Sequence, residues 1–176
     1  MGAKLVIDLG KCRLQDDSGV RCSYKHHPDN KGIDSLLEKI RFALICRKCE
    51  AAPCITACPQ NALEKMPSEQ NDSGVLRRFN MLCTGCGTCA IACPFGTIYT
   101  DLIPFVGSVC DVCKGRLQNG EKPLCVQTCD DDSIDYREVD LNKEKDLVEV
   151  FEDIVVKVSG GQLWKPLLRS KAKAKK

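Results

Sequence analysis

Apolar positions come in short runs scattered along this chain; they predict brief elements and do not require long regular ones. Leu5-Val6-Ile7 reads as a strand near the start. The triplets Asn61-Ala62-Leu63, Gly96-Thr97-Ile98 and Asp132-Ser133-Ile134 recur at one spacing and read as further short strands. Ile55, Ile91 and Val126 fall where short helices are expected, each as an inward apolar residue. Residues 138–158 alternate charge with Val139, Leu141, Leu147, Val148, Val150, Phe151, Ile154 and Val155. Over 146–158 that spacing suits a helix or a helix plus strand, stopped by Ser159-Gly160-Gly161. The expected use of this segment is packing on the rest of the molecule or docking, with Trp164 as an aromatic anchor or a local plug.

Aromatic residues make up 5% of the 176, too few for an aromatic-rich core, while cysteine occurs fourteen times. Net charge is +2 with the signs mixed, which argues against nucleic acid as a partner. No apolar run approaches the roughly 18 residues of a membrane span. The amino terminus MGAKLVIDLGKC lacks a secretory h-region and an acylation pattern, so a cytoplasmic setting is expected. Clustered cysteines in a reducing compartment point to metal rather than disulfides.

Three cysteine groups stand out: Cys46-x2-Cys49-x4-Cys54-x3-Cys58-Pro59, Cys83-x2-Cys86-x2-Cys89-x3-Cys93-Pro94, and Cys110-x2-Cys113-x11-Cys125-x3-Cys129. The second is the bacterial ferredoxin run, in which three closely spaced thiolates hold one [4Fe–4S] cube and the fourth serves another. Gly85 and Gly87 allow the backbone to turn tightly between those cysteines. Structural zinc also uses C-x2-C pairs, but it has no need of the x3-Cys-Pro continuation present twice here.

The last cysteines of the groups repeat, 35 residues from Cys58 to Cys93 and 36 from Cys93 to Cys129. A further step of 36 back from Cys58 reaches Cys22. Ferredoxin spacing counted back from Cys22 lands on Ser18, Gln15 and Cys12, so a fourth motif is in register with its two inner ligands replaced.

These motifs resemble the iron–sulfur electron-transfer subunits of molybdenum and tungsten oxidoreductases. The resemblance rests on CRKCEAAPCITACP at 46–59, the run at 83–94 and CDVCKGRLQNGEKPLCVQTC at 110–129, and it covers roughly residues 4–136. It implies an α+β fold of two interleaved bacterial-ferredoxin-like halves, loop-rich, with a C-terminal extension. The expected divisions are an iron–sulfur domain over 1–137, a packing or docking segment over 138–169 and a disordered basic tail over 170–176.

The family's pairing of motifs implies three [4Fe–4S] clusters. Cys46, Cys49, Cys54 and Cys93 would hold the first; Cys83, Cys86, Cys89 and Cys58 the second; Cys110, Cys113, Cys125 and Cys22 the third. A fourth would need Cys12, Gln15, Ser18 and Cys129, and an amide and a hydroxyl are poor ligands for a soft iron–sulfur site. These four are therefore expected to be non-ligand remnants. A [3Fe–4S] cluster or ligation by Ser18 stands as the alternative, and Asp130 replaces the family's proline after Cys129. His26 and His27 are expected on the surface.

No nucleophile–base pair and no dinucleotide or phosphate-binding glycine loop is present. The resemblance implies a non-catalytic electron relay for a large molybdenum- or tungsten-pterin subunit, with further electron-transfer proteins as partners. Subunits of the aldehyde oxidoreductase type, such as that of tungsten benzoyl-CoA reductase, are the narrowest match. A free polyferredoxin and a redox sensor or assembly factor are the competing readings.

Overall fold

The computed structural model describes residues 2–12, 19–24, 32–68, 71–98, 103, 110–118, 120–144 and 146–158. Gln15, Ser18, His26, His27, Trp164 and the basic tail lie outside them. The fold is mixed, with short helices, two small sheets and long irregular loops.

Strand β1 (Lys4–Asp8) forms where Leu5-Val6-Ile7 predicts one. It sits inside a four-stranded sheet of order β4-β1-β6-β5, with β4 at Ile134–Arg137, β5 at Leu147–Phe151 and β6 at Ile154–Lys157. β4 runs antiparallel to β1, matching Leu5 with Tyr136 and Ile7 with Ile134. On its other side β1 pairs in parallel with β6, Leu5 opposite Ile154 and Ile7 opposite Val156.

Successive side chains of a strand point to opposite faces, and both faces of this sheet are covered. Leu5, Ile7, Ile134, Ile154 and Val156 enter the main core. Val6, Leu147 and Val155 form a smaller cluster on the reverse side, closed by Val139 and Leu141. The alternation in 138–158 thus has a concrete origin: the segment first covers the back of the sheet and then supplies two strands of it. The helix considered for 146–158 does not form. Its β-branched residues pair instead as a hairpin, Val148 with Val156 and Glu149 with Val155. Buried Glu149 is paired with Lys4.

The main core is roofed by helix α1 (Ile33–Cys46), which buries Ile33, Leu36, Leu37, Ile40, Ala43 and Leu44 along one face. That is the i, i+3, i+4, i+7 stripe of an amphipathic helix, and short elements alone do not describe this chain. A hairpin of β2 (Leu63–Ser68) and β3 (Asn71–Arg78) adds Leu63, Val75 and Leu76 to the same core.

Three short helices follow the expectation: α2 (Pro53–Thr56), α3 (Thr88–Ala92) and α4 (Leu124–Gln127). Ile55 and Val126 pack against the main core. Ile91 does not: it is exposed, and its neighbours Cys89 and Ala90 make the contact with the core instead.

The repeat is a repeat of backbone shape. Each helix is left by a bond from the cysteine N–H to the carbonyl three residues earlier, Cys58 to Ile55, Cys93 to Ala90 and Cys129 to Val126. Three residues after each cysteine the chain turns left-handed, at Asn61 (φ 49°), Gly96 (φ 60°) and Asp132 (φ 51°). Asn, Gly and Asp are the residues that tolerate this region best. The turn delays the expected strands. β2 begins at Leu63 and β4 at Ile134, while 96–98 forms no strand.

Candidate metal centres

Helix α1 delivers Cys46 from its last turn, and consecutive turns (Lys48 N–H to Ile45 O, Cys49 N–H to Cys46 O) carry the chain to Cys49. Ala52, left-handed at φ 38°, starts α2 and with it Cys54. Burial pushes the Cys54 thiol up to about 11, with the charges of Cys46, Cys93 and Cys49 adding to it. Burial likewise raises Cys46, and Cys49 and Cys93 raise it further, against bonding to Leu76 and the charge of Lys65. Cys46, Cys49, Cys54 and Cys93 are therefore near enough to one another for their charges to interact. Lys65 stands behind it on β2, its ammonium donating to the carbonyl oxygens of Cys46 (3.1 Å) and Cys49.

A second group gathers Cys58, Cys83, Cys86 and Cys89 around one pocket, together with Gly85, Gly87, Arg78 and Ile103. Gly85 and Gly87 are left-handed at φ 73° and 74°, so the glycines of the ferredoxin run are required by backbone geometry. Burial raises the Cys89 thiol, and the charges of Cys58 and Cys83 reinforce this. The Ala62 N–H donates to Cys58 Sγ at 3.3 Å. In the first group, Cys93 Sγ lies 3.7 Å from Thr97 Oγ1. Burial pulls the Cys93 thiol up, but bonding to Thr97, Phe95 and Ile98 leaves it lowered overall.

The third group joins Cys22 to cysteines some ninety to a hundred residues further along the chain. Burial pushes Cys125 up to about 12, with Cys110, Cys113 and Cys22 contributing, and Cys110 up to about 11. The segment carrying Cys22 is held by side chains that spacing does not single out. Arg21 N–H donates to Thr128 Oγ1 at 2.9 Å, and Ser23 Oγ lies 3.1 Å from Cys113 Sγ. Gly32 (φ 64°) leaves room for Cys22, since a Cβ there would come within 2.9 Å of the Cys22 Cβ. Across the loop, Asp111 accepts from the Cys113 N–H at 3.0 Å and from both terminal nitrogens of Arg116. Val112 occupies the position of Gly85 and adopts its left-handed backbone, φ 52°, a costly conformation for a β-branched residue. Its N–H points at Cys110 Sγ, 3.4 Å away.

The remaining two cysteines are placed differently. Cys129 Sγ donates to Asp131 Oδ1 at 3.0 Å and lies 3.4 Å from Ser133 Oγ. Cys12 packs partly buried against the main core.

Among the described residues, no three Cys, His, Asp or Glu side chains converge tightly enough to bind a single ion. Soft thiolates brought together from separate motifs are the ligands that a multinuclear iron–sulfur cube uses. The donor set fits that chemistry: soft sulfur ligands, N–H groups aimed at sulfur, and raised thiols that release protons when metal binds. When bound, such clusters supply one-electron redox chemistry.

Lys65, Ser23, Thr97 and Thr128 carry no motif. They become visible once the fold brings their strands and loops against the cysteine turns.

Residues 37–138 match the model of the 4Fe–4S dicluster domain, more than half of the chain. The B subunit of polysulfide reductase from Wolinella succinogenes is 35% identical over 57% of this chain and 50% of its own length. The thiosulfate reductase electron transfer subunit PhsB of Salmonella typhi is 33% identical, over 54% of this chain and 47% of its own. The chain thus spans half the length or less of these two reductase relatives. The electron transport protein HydN of Escherichia coli is 27% identical over 73% of this chain and 84% of its own. With its ferredoxin run and two further cysteine groups in the matched region, the chain belongs to the 4Fe–4S dicluster domain family.

Proposed function

We propose that the chain relays single electrons through three [4Fe–4S] clusters to or from a catalytic subunit carrying a molybdenum or tungsten pterin. Cys46, Cys49, Cys54 and Cys93 hold the first cluster in this reading. Cys83, Cys86, Cys89 and Cys58 hold the second, and Cys110, Cys113, Cys125 and Cys22 the third. Cys12, Gln15, Ser18 and Cys129 are remnants of a lost fourth site.

The observation that carries the reading is that cysteines of separate motifs come together: Cys58 lines one pocket with Cys83, Cys86 and Cys89, Cys93 lies near Cys54 and Cys46, and Cys22 lies near Cys125 and Cys110. The bond from the Cys129 thiol to the Asp131 carboxylate supports its assignment as a remnant. Relatives named as subunits of polysulfide and thiosulfate reductases support a catalytic partner. A partner of the aldehyde oxidoreductase type, such as tungsten benzoyl-CoA reductase, is the narrowest form of the proposal.

The chain's own residues act on potential and burial rather than on bonds. N–H groups directed at the sulfurs of Cys58, Cys110 and Cys22 stabilise negative charge on the ligands. Burial of Cys46, Cys54 and Cys113 keeps water from parts of the first and third sites. Because tunnelling falls steeply with distance, the vacant fourth position belongs at one end of the relay or beside a partner's cluster.

Anaerobic purification with the proteins that accompany the chain tests the partnership. A molybdenum- or tungsten-pterin subunit that reoxidises the dithionite-reduced chain within turnover time is the expected result. A discrete chain with no metallopterin partner would favour the second reading, a free polyferredoxin. HydN, a relative named as an electron transport protein and matched over most of its length, keeps that reading in view.

A further inference from the structure

The third cysteine group departs from the ferredoxin run at a position that matters for charge. Counted from Cys110 as the run counts from Cys83, Cys113 matches Cys86, and the place of Cys89 is taken by Arg116. The third thiol of this group comes later, at Cys125. The first group has uncharged Ala52 at the corresponding place. A cation thus stands in register with a thiol of the ferredoxin run in this group alone.

The guanidinium of Arg116 is held on two sides. Its terminal nitrogens donate to the Asp111 carboxylate at 2.6 and 2.8 Å. Its central carbon lies 5.3 Å from the centre of the Tyr24 ring, two residues after Cys22. Bonding to Asp111, and then to the side chain of Cys113, keeps it above the ordinary arginine range.

Asp111 is explained by the backbone. Val112 and Cys113 are both left-handed, at φ 52° and 56°, a costly conformation for a β-branched residue. The Asp111 carboxylate accepts from the Cys113 N–H at 3.0 Å and braces that turn. The second group has Gly85 at the place of Val112 and uncharged Thr84 at the place of Asp111. The brace therefore brings a negative charge to the thiols of the third group. Cys110 is raised chiefly by burial, and the charge of Asp111 adds to it.

On the reading of Cys110, Cys113, Cys125 and Cys22 as a cluster site, we propose that Arg116 is a tuning residue for the third cluster, cancelling the charge of the Asp111 brace and so holding that cluster's reduction potential up. Reduction adds one electron to the cluster with no bond made or broken, and an uncompensated carboxylate beside the ligands opposes it. Both side chains of the pair are partly exposed, so water and salt weaken the effect without removing it.

The test is an EPR-monitored redox titration of the full, anaerobically purified chain at low ionic strength, with iron per chain measured on every variant. Cys125→Ser identifies the signal of the third cluster by its loss. Arg116→Met should make reduction of that cluster at least about threefold less favourable, about 28 mV for one electron. Asp111→Asn, whose amide oxygen can still accept from the Cys113 N–H, should shift the potential upward by a similar factor. The double variant, neutral again at the pair, should return to the unsubstituted potential. The other two clusters should not move. An unchanged potential in Arg116→Met, or a double variant no nearer the unsubstituted value than Arg116→Met, would overturn the proposal. If Arg116→Met loses about four irons, one cube, Asp111→Asn decides alone: a raised potential supports the proposal, and an unchanged or lowered one overturns it. Each of those failures in a chain with its iron intact leaves the cluster reading standing. A chain without iron, or one whose iron Cys125→Ser leaves untouched, removes the third site and the proposal together.

Discussion

Lys65 is the residue whose consequence is simplest to state. Its ammonium binds the carbonyl oxygens of Cys46 and Cys49, so a positive charge sits behind the loop of the first cysteine group. A reduced cluster is more negative than an oxidised one, and a nearby cation favours it. Lys65→Met should therefore lower the reduction potential of that cluster in an EPR-monitored redox titration, while Lys65→Arg preserves it; equal potentials in all three proteins would exclude the effect. Gly32 gives a steric counterpart. An alanine there would be strained at φ 64° and would press its Cβ on that of Cys22. Gly32→Ala should cost one cluster, taking iron from about twelve to about eight atoms per chain on four irons per cube. Neither residue is legible as functional in the sequence. Lys65 is one charge among many on a strand remote in sequence from the cysteines, and the demand on Gly32 exists only once the loop has folded. Cys22 is legible, because it lies in register with the repeat.

At the scale of elements, the local signals that can be read are those tied to the cysteine repeat. The three short helices follow from the x3-Cys spacing, and β1 follows from Leu5-Val6-Ile7. The strands expected after each motif fall two residues early, since Asn61 and Asp132 adopt the left-handed turn that only their small polar side chains hint at. The 146–158 hairpin is less legible, because a short run of apolar and charged residues fits either period until a neighbouring strand selects one. β1 makes that selection by pairing with β6 on one side and β4 on the other. Ile154, fully buried on β6 and facing the main core, should be expensive to truncate. Ile154→Ala is expected to destabilise the cluster-loaded protein by about 2–5 kcal/mol, read from anaerobic denaturant unfolding. A loss below about 1 kcal/mol would mean that the C-terminal hairpin contributes little to the core.

At the scale of the molecule, cluster sites and aliphatic core are not separate parts. Cys46 and Cys54 belong to the main core alongside Leu37, Ile40 and Leu76, and Val112 brings the third group into the same cluster. Folding and metal binding should therefore be coupled. Protein stripped of iron by chelation under anaerobic, reducing conditions should unfold at lower denaturant than the loaded form, and amide exchange in β1 and β6 should quicken. Unchanged exchange in those strands would show the sheet to be independent of the clusters.

The number of clusters that the fourteen cysteines hold decides between a three-site relay and a four-site one. Iron and acid-labile sulfide, measured per chain on anaerobically purified protein, address that number directly. Three cubes predict about twelve of each, about eight in Cys89→Ser and an unchanged twelve in Cys12→Ser. About sixteen irons in the unsubstituted protein, or a loss of iron on replacing Cys12, would restore the fourth site and contradict the assignment.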